Sequence, residues 1–145
     1  YGNLNSTALG AYEKPKVRLV GSGGAHDIAV LAGAAVVLMP HDPRRFVPEV
    51  DFATSPGLYG STGDGAVAAR GSGPGCVVTP RARFTFEAGE LTLDALVDGV
   101  DESTALEGFG WSVPRAARLG QLTPLSDSEI AVASDVLESW GRDAV

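Results

Sequence analysis

Early apolar positions form two runs, Val17-Arg18-Leu19-Val20 and Ala34-Ala35-Val36-Val37-Leu38-Met39. Between them lie the turn Gly21-Ser22-Gly23-Gly24-Ala25-His26-Asp27 and a short helical segment. A β-type run, a glycine-rich turn, a helix and a second β-type run predict a βαβ unit. Ahead of it, Leu4 to Leu9 reads as a strand and its exit. Later, Arg83-Phe84-Thr85-Phe86-Glu87 and Glu90-Leu91-Thr92-Leu93-Asp94 alternate with period two and are joined by Ala88-Gly89. That pattern predicts a hairpin with Phe84, Phe86, Leu91 and Leu93 on its buried face. Asp101-Glu102-Ser103-Thr104 opens a short helix with acidic side chains at its positive end, and Gly108 closes it. Ser126-Asp127-Ser128-Glu129 forms a capping box, followed by one apolar stripe of Ile130, Ala133, Val136, Leu137 and Trp140. From Ser55 to Gly75 periodicity gives way to Gly, Ser and Pro, the signature of a long loop that is a lid, a binding loop or disorder.

The turn at residues 21–27 has the most chemical content. Its glycines let main-chain N–H groups converge on a negatively charged oxygen, and a helix starting there strengthens the same site. The turn is not a dinucleotide fingerprint, because His26 stands where the third glycine belongs, and no phosphate-binding G-x-x-x-x-G-K-[ST] run exists. Val20 before Ser22 excludes a nucleophile elbow. A strand-to-helix turn with no ligand is the plain alternative. After the second run, Arg44 and Arg45 stand together beyond Pro40 and Pro43, where ligands of open α/β sheets gather. An exposed, solvated pair is the commoner explanation for two such arginines.

Composition narrows the function. With 145 residues the chain suits one domain, and 44% hydrophobic against 20% charged residues is a globular balance. A net charge of −7 argues against a nucleic-acid or anionic-membrane surface. The longest apolar run, Ile28 to Met39, falls short of the roughly 20 residues a membrane span requires. Cys76, the one cysteine, excludes an internal disulfide and makes a reducing, cytoplasmic setting the default expectation. His26 and His41 are far apart in sequence, and no Ser/His/Asp order or zinc-ligand spacing joins them, so no metal is expected. The residues offer an oxyanion pocket without a nucleophile.

Several segments taken together resemble the family I coenzyme A transferases. They are Tyr1-Gly2-Asn3-Leu4-Asn5, the stretch from Lys16 to Ala29 with its G-S-G-G-A run, Met39-Pro40-His41, Arg44-Arg45-Phe46, Val50-Asp51-Phe52 and Thr54-Ser55-Pro56-Gly57. Val77-Val78-Thr79, Phe84-Thr85-Phe86 and Leu122-Thr123-Pro124-Leu125-Ser126-Asp127 extend the likeness. It is closest to the β subunit of the glutaconate CoA-transferase type. The resemblance implies an open, largely parallel α/β sheet of the sugar-phosphate isomerase and CoA-transferase superfamily, with a late β-hairpin and a C-terminal helix. It implies a single CoA-transferase-like domain over residues 1–145, with residues 56–75 as its glycine-rich loop.

In that family a glutamate attacks the acyl-CoA thioester and forms a glutamyl-CoA intermediate. The glycine turn is similar to the part that holds the thioester oxyanion. Carried over to this chain, the backbone pocket comprises Gly21, Gly23, Gly24 and Ala25, with N–H donors from Gly23, Gly24 and Ala25. His26 departs from the family pattern, in which Asn is common after the alanine. The family's glutamate lies upstream of Tyr1, so no catalytic residue is assigned here. The chain is expected to be the C-terminal half of a β subunit, partnered by an α subunit and by the N-terminal half of the β subunit as separate chains. Coenzyme A is expected as substrate, with no tightly bound cofactor, and Arg44 or Arg45 as an anion contact. A thioester hydrolase or decarboxylase of the same family, and a non-catalytic scaffold subunit, are the alternative readings.

Overall fold

The central hairpin follows from alternation and from two left-handed residues. β5 (Ala82–Glu87) and β6 (Glu90–Leu96) pair antiparallel, with Phe84 opposite Leu93 and Phe86 opposite Leu91. Ala88 at φ 48° and Gly89 at φ 83° supply the paired positive φ values that a two-residue hairpin turn demands. Phe84 and Leu93 are fully buried, and Phe86 is half-buried at the edge of the same cluster. The computed structural model describes residues 1–58 and 73–142. Most of the glycine-rich loop expected over 56–75, including Tyr59, lies outside the described residues.

Around the hairpin, β3 (Ala35–Leu38), β4 (Pro74–Val78) and β7 (Arg115–Gln121) complete an open five-stranded sheet in the order β3-β4-β5-β6-β7. The outer pairings, β3 with β4 and β6 with β7, are parallel, and the inner two are antiparallel. The sheet is therefore open and mixed, with its parallel character confined to the flanks. Three helices accompany it: α1 (Ala25–Leu31), α2 (Glu102–Leu106) and α3 (Asp127–Arg142). No helix among the described residues is long and apolar enough to cross a membrane.

The expected βαβ unit around the glycine turn does not form. Instead, β2 (Val17–Arg18) pairs antiparallel with β1 (Ala8–Leu9) in a separate two-stranded sheet. The reason is local: the chain folds back at Ala11–Lys16, where the Lys16 N–H donates to the Leu9 carbonyl at 2.8 Å, so β2 spends its pairing on β1. A parallel β-helix-β crossover appears later, from β6 through α2 to β7. There the Asp101 side chain caps α2 by accepting the Thr104 N–H at 2.8 Å, and Ala105 is buried against the core. Hydrogen bonds from the Ser103 hydroxyl and the Thr104 N–H keep the Asp101 carboxyl below its ordinary range.

The core sits between the sheet and the segment 39–46 together with 105–113. Its centre is an aromatic group: Phe46 to Phe109 at 4.6 Å, Phe84 to Phe109 at 5.3 Å and Phe109 to Trp111 at 5.2 Å between ring centroids. At the C-terminus the capping box closes as expected. Ser126 Oγ donates to Glu129 Oε2 at 2.6 Å, and the Glu129 N–H donates back to Ser126 Oγ at 3.4 Å. Yet the apolar stripe of α3 faces outward, with Leu137 65% and Trp140 69% exposed.

Because Phe84 is fully buried among aromatic rings, Phe84→Ala should destabilise the fold by about 3–5 kcal/mol. The check is the urea midpoint of the purified chain, which should fall with little change in slope.

Candidate functional site

Three segments distant in sequence meet beside the glycine turn. The bridge between Leu4 and Ser55 begins the assembly: the Leu4 N–H donates to the Ser55 carbonyl at 2.9 Å, and the Thr54 N–H donates to the Leu4 carbonyl at 2.8 Å. Asn3 Oδ1 accepts the Gly57 N–H at 2.8 Å, while Asn5 Oδ1 accepts the Thr7 N–H at 3.0 Å. At Gly57 a Cβ would lie 1.9 Å from the Tyr1 carbonyl oxygen, so only glycine lets the two backbones touch. Thr54 Oγ1 accepts the Ser6 N–H at 2.8 Å and shares a hydrogen bond with Thr7 Oγ1 at 2.7 Å. Ser55 is 1% exposed, and its Oγ has no hydrogen-bond partner among the described residues.

The glycine turn hangs from this assembly. The Gly21 N–H donates to the Ser6 carbonyl at 2.7 Å, and the Ala25 N–H donates to the Ser22 carbonyl at 2.9 Å. Two of the four backbone groups singled out in the sequence are thus engaged inside the chain. The N–H groups of Gly23 and Gly24 have no partner among the described residues. Gly21 and Gly23 adopt positive φ, 91° and 49°, which explains glycine there from backbone alone. Gly24 is different. Its φ of −86° suits any residue, and a Cβ on it would meet nothing within 4 Å. This fold does not require glycine at 24.

Arg44 and Arg45 part company. The Arg44 guanidinium grips the Asp42 carboxylate, with Nη2 2.7 Å and Nε 3.1 Å from its oxygens, and those bonds hold the Asp42 pKa at about 2. Arg45 makes no ion pair among the described residues and lines an open groove of about 470 Å³ with Asn5, Ser6, Arg18, Leu19 and Val20. Arg18 was not anticipated. Its guanidinium donates to the Tyr12 carbonyl at 3.0 Å and lies 4.9 Å over the Tyr12 ring. Val20, one of the groove's lining residues, is wholly exposed and directly precedes Gly21 in the chain.

The two histidines lie in different surroundings. His26 Nδ1 bonds the Thr54 carbonyl at 2.9 Å, tying the first turn of α1 to the 54–57 segment. His41 sits in the core margin, with Nδ1 3.1 Å from Thr79 Oγ1 and its ring 5.9 Å from Phe46 and 6.0 Å from Phe109. Its Nε2 is buried without a hydrogen bond of regular geometry. Desolvation, aided by the Arg81 charge, lowers the His41 pKa and outweighs the opposing Glu107 carbonyl and carboxylate. No three of His, Cys, Asp and Glu among the described residues gather as a metal site would need.

Set beside known proteins, this arrangement has clear relatives. The sequence model of the coenzyme A transferase family matches residues 1–79, and the chain belongs to that family. It is similar to the β subunit of the 3-oxoadipate CoA-transferase of Pseudomonas knackmussii, with 34% identity over 134 residues, covering 90% of this chain and 51% of the relative. It is also similar to the β subunit of the glutaconate CoA-transferase of Acidaminococcus fermentans, with 37% identity over 125 residues, covering 82% of this chain and 47% of the relative. The crystal structure of that organism's glutaconate CoA-transferase superposes with a TM-score of 0.75 at 31% identity, covering 91% of this chain and 52% of that one. The decarboxylase AibA/AibB shares the fold, with a TM-score of 0.71 at 22% identity over 89% of this chain and 48% of that one. The chain spans about half the length of the curated relatives it matches.

The depressed His41 pKa carries a pH dependence of known sign. The unfolded chain takes up the proton near pH 6.5 and the folded chain only at lower pH, so folded stability is full above 6.5 and declines as pH falls from there through the folded pKa. Thermal melts between pH 7.5 and 5 should show this decline. In His41→Asn the part of the slope between about pH 6.5 and the folded pKa should vanish.

Proposed function

We propose that this chain forms part of the β subunit of an enzyme that transfers coenzyme A between carboxylic acids by way of a glutamyl-CoA intermediate. The nucleophilic glutamate is on a segment outside this chain, and the glycine turn supplies the backbone donors. The observation that carries the reading is Gly24, a glycine the fold does not require, whose N–H and that of Gly23 have no partner among the described residues, in a chain of the coenzyme A transferase family. When a carboxylate attacks a thioester carbonyl, its oxygen gains negative charge, and preorganised N–H donors stabilise that charge as it develops. Gly23 and Gly24 fill this role, while Gly21 and Ala25 shape the turn through their own internal bonds. The names of the two curated relatives, both CoA-transferases, favour transfer over hydrolysis or decarboxylation.

The working enzyme contains further protein. Both curated relatives are named as one subunit of their enzymes, which supports an α-type partner, and are about twice the length matched here. The apolar side chains of Val20, Ile28, Leu31, Val36 and Leu38, and the stripe of α3, stand uncovered in this chain. That is the surface expected where the remaining half of the β subunit and its partner pack. Substrate anchoring falls to Arg45, whose guanidinium makes no ion pair among the described residues and can meet a CoA phosphate or a carboxylate in the groove.

Two substitutions in the assembled enzyme test the reading. Gly24→Val should leave the chain folded, since a Cβ at this position meets nothing within 4 Å, and should lower kcat by about 100-fold or more. Near-normal turnover would rule out the turn as the oxyanion site. Arg45→Met should raise KM for CoA thioesters by about tenfold without moving the melting temperature. A fall in stability with unchanged kinetics would make Arg45 structural.

A further inference from the structure

We propose that Thr54 is a positioning residue that clamps both ends of the glycine turn, with His26 as its second jaw; this rests on the reading of the turn as the oxyanion site. At the near end, Thr54 Oγ1 accepts the Ser6 N–H at 2.8 Å, and the Ser6 carbonyl accepts the Gly21 N–H at 2.7 Å. At the far end, the Thr54 carbonyl accepts His26 Nδ1–H at 2.9 Å. One residue, 7% exposed, therefore reaches both ends of the turn that carries Gly23 and Gly24.

Among the described residues, little packs along the turn itself. A Cβ placed on Gly21, Gly23 or Gly24 would meet no atom within 4 Å, and α1 buries none of its residues. The turn is thus fixed by hydrogen bonds at its ends rather than by packing along its length. Oxyanion donors must be held within about 0.5 Å of their productive positions, and a misplacement of about 1 Å costs about 100-fold in rate. Thr54 is itself fixed, since its N–H donates to the Leu4 carbonyl at 2.8 Å and its hydroxyl also bonds Thr7 Oγ1.

The chemistry of His26 follows from its acceptor. A carbonyl only accepts, so Nδ1 carries the proton in this bond. The clamp consequently asks for a donor at 26 and no change of protonation. An asparagine amide at the same position reaches the same carbonyl, which sets a positioning role apart from acid–base catalysis.

The test uses the enzyme assembled with its partner chains and an acyl-CoA substrate. Thr54→Val and His26→Leu should each lower kcat by about tenfold to 100-fold, with KM for the acyl-CoA within about twofold of the parent. Thr54→Ser, which keeps the hydroxyl, and His26→Asn, which keeps a donor, should recover most of the loss. The pH–rate profile of His26→Asn should superimpose on that of the parent. The clamp is overturned by parental kcat in folded Thr54→Val and His26→Leu, by losses that Ser and Asn fail to recover, or by a limb of the pH profile that disappears in His26→Asn. If Thr54→Val does not assemble, the exposed His26 pair decides alone. Activity in Gly24→Val would remove the oxyanion reading and the clamp with it, whereas an inactive Gly24→Val beside a fully active Thr54→Val removes the clamp only.

Discussion

The pairing of Leu4 with Ser55 is the contact on which the front of this structure depends. It brings residues 1–7 against 54–57 and so creates the platform from which β2, the glycine turn and α1 are suspended. The aromatic core lies between the five-stranded sheet and the segment around Phe46, and holds the hairpin and α2. Backbone geometry does the corresponding work in front, down to the contact between Gly57 and Tyr1 that leaves no room for a side chain.

Charge is distributed in keeping with that division. Most arginines around the core are committed: Arg81 to Glu107, Arg83 to Asp94 and Arg115 to Glu102, with Arg44 bound to Asp42 on the surface. Exposed pairs of this kind add little to stability, because water screens them, so their effect is mainly to use up cations. In a chain of net charge −7, Arg18 and Arg45 put two positive charges on the lining of one groove, and neither makes an ion pair among the described residues.

The sequence exposed the elements whose cause is local. Period-two alternation with Ala88-Gly89 located the hairpin, Asp101 located α2, and Ser126 with Glu129 located the start of α3. It misjudged β2, whose partner was decided by a nearby fold-back rather than by the apolar run after the turn. It held no sign of β7, because Arg115-Ala116-Ala117-Arg118-Leu119-Gly120-Gln121 alternates weakly and is strand by virtue of its place beside β6. The glycine turn was legible from composition. Its support was not, since Ser6 acts through a carbonyl and Thr54 through both carbonyl and hydroxyl across a separation of 48 residues. Arg18 had one available signal, its place opposite the apolar face in Val17-Arg18-Leu19, and that signal says only that it is exposed.

The suspended turn has a consequence for the hierarchy of local opening. Amides protected by a packed core exchange with solvent only when the whole domain opens, whereas those held by hydrogen bonds at a few points exchange through smaller excursions. The Gly21 amide, bonded to Ser6 with no side chain packed over it, belongs to the second group, and the amides of β5 and β6 around Phe84 and Leu93 belong to the first. A molecule built this way lets its anion-facing backbone breathe on a faster clock than its interior, and a ligand seated on that backbone would slow the first clock without touching the second.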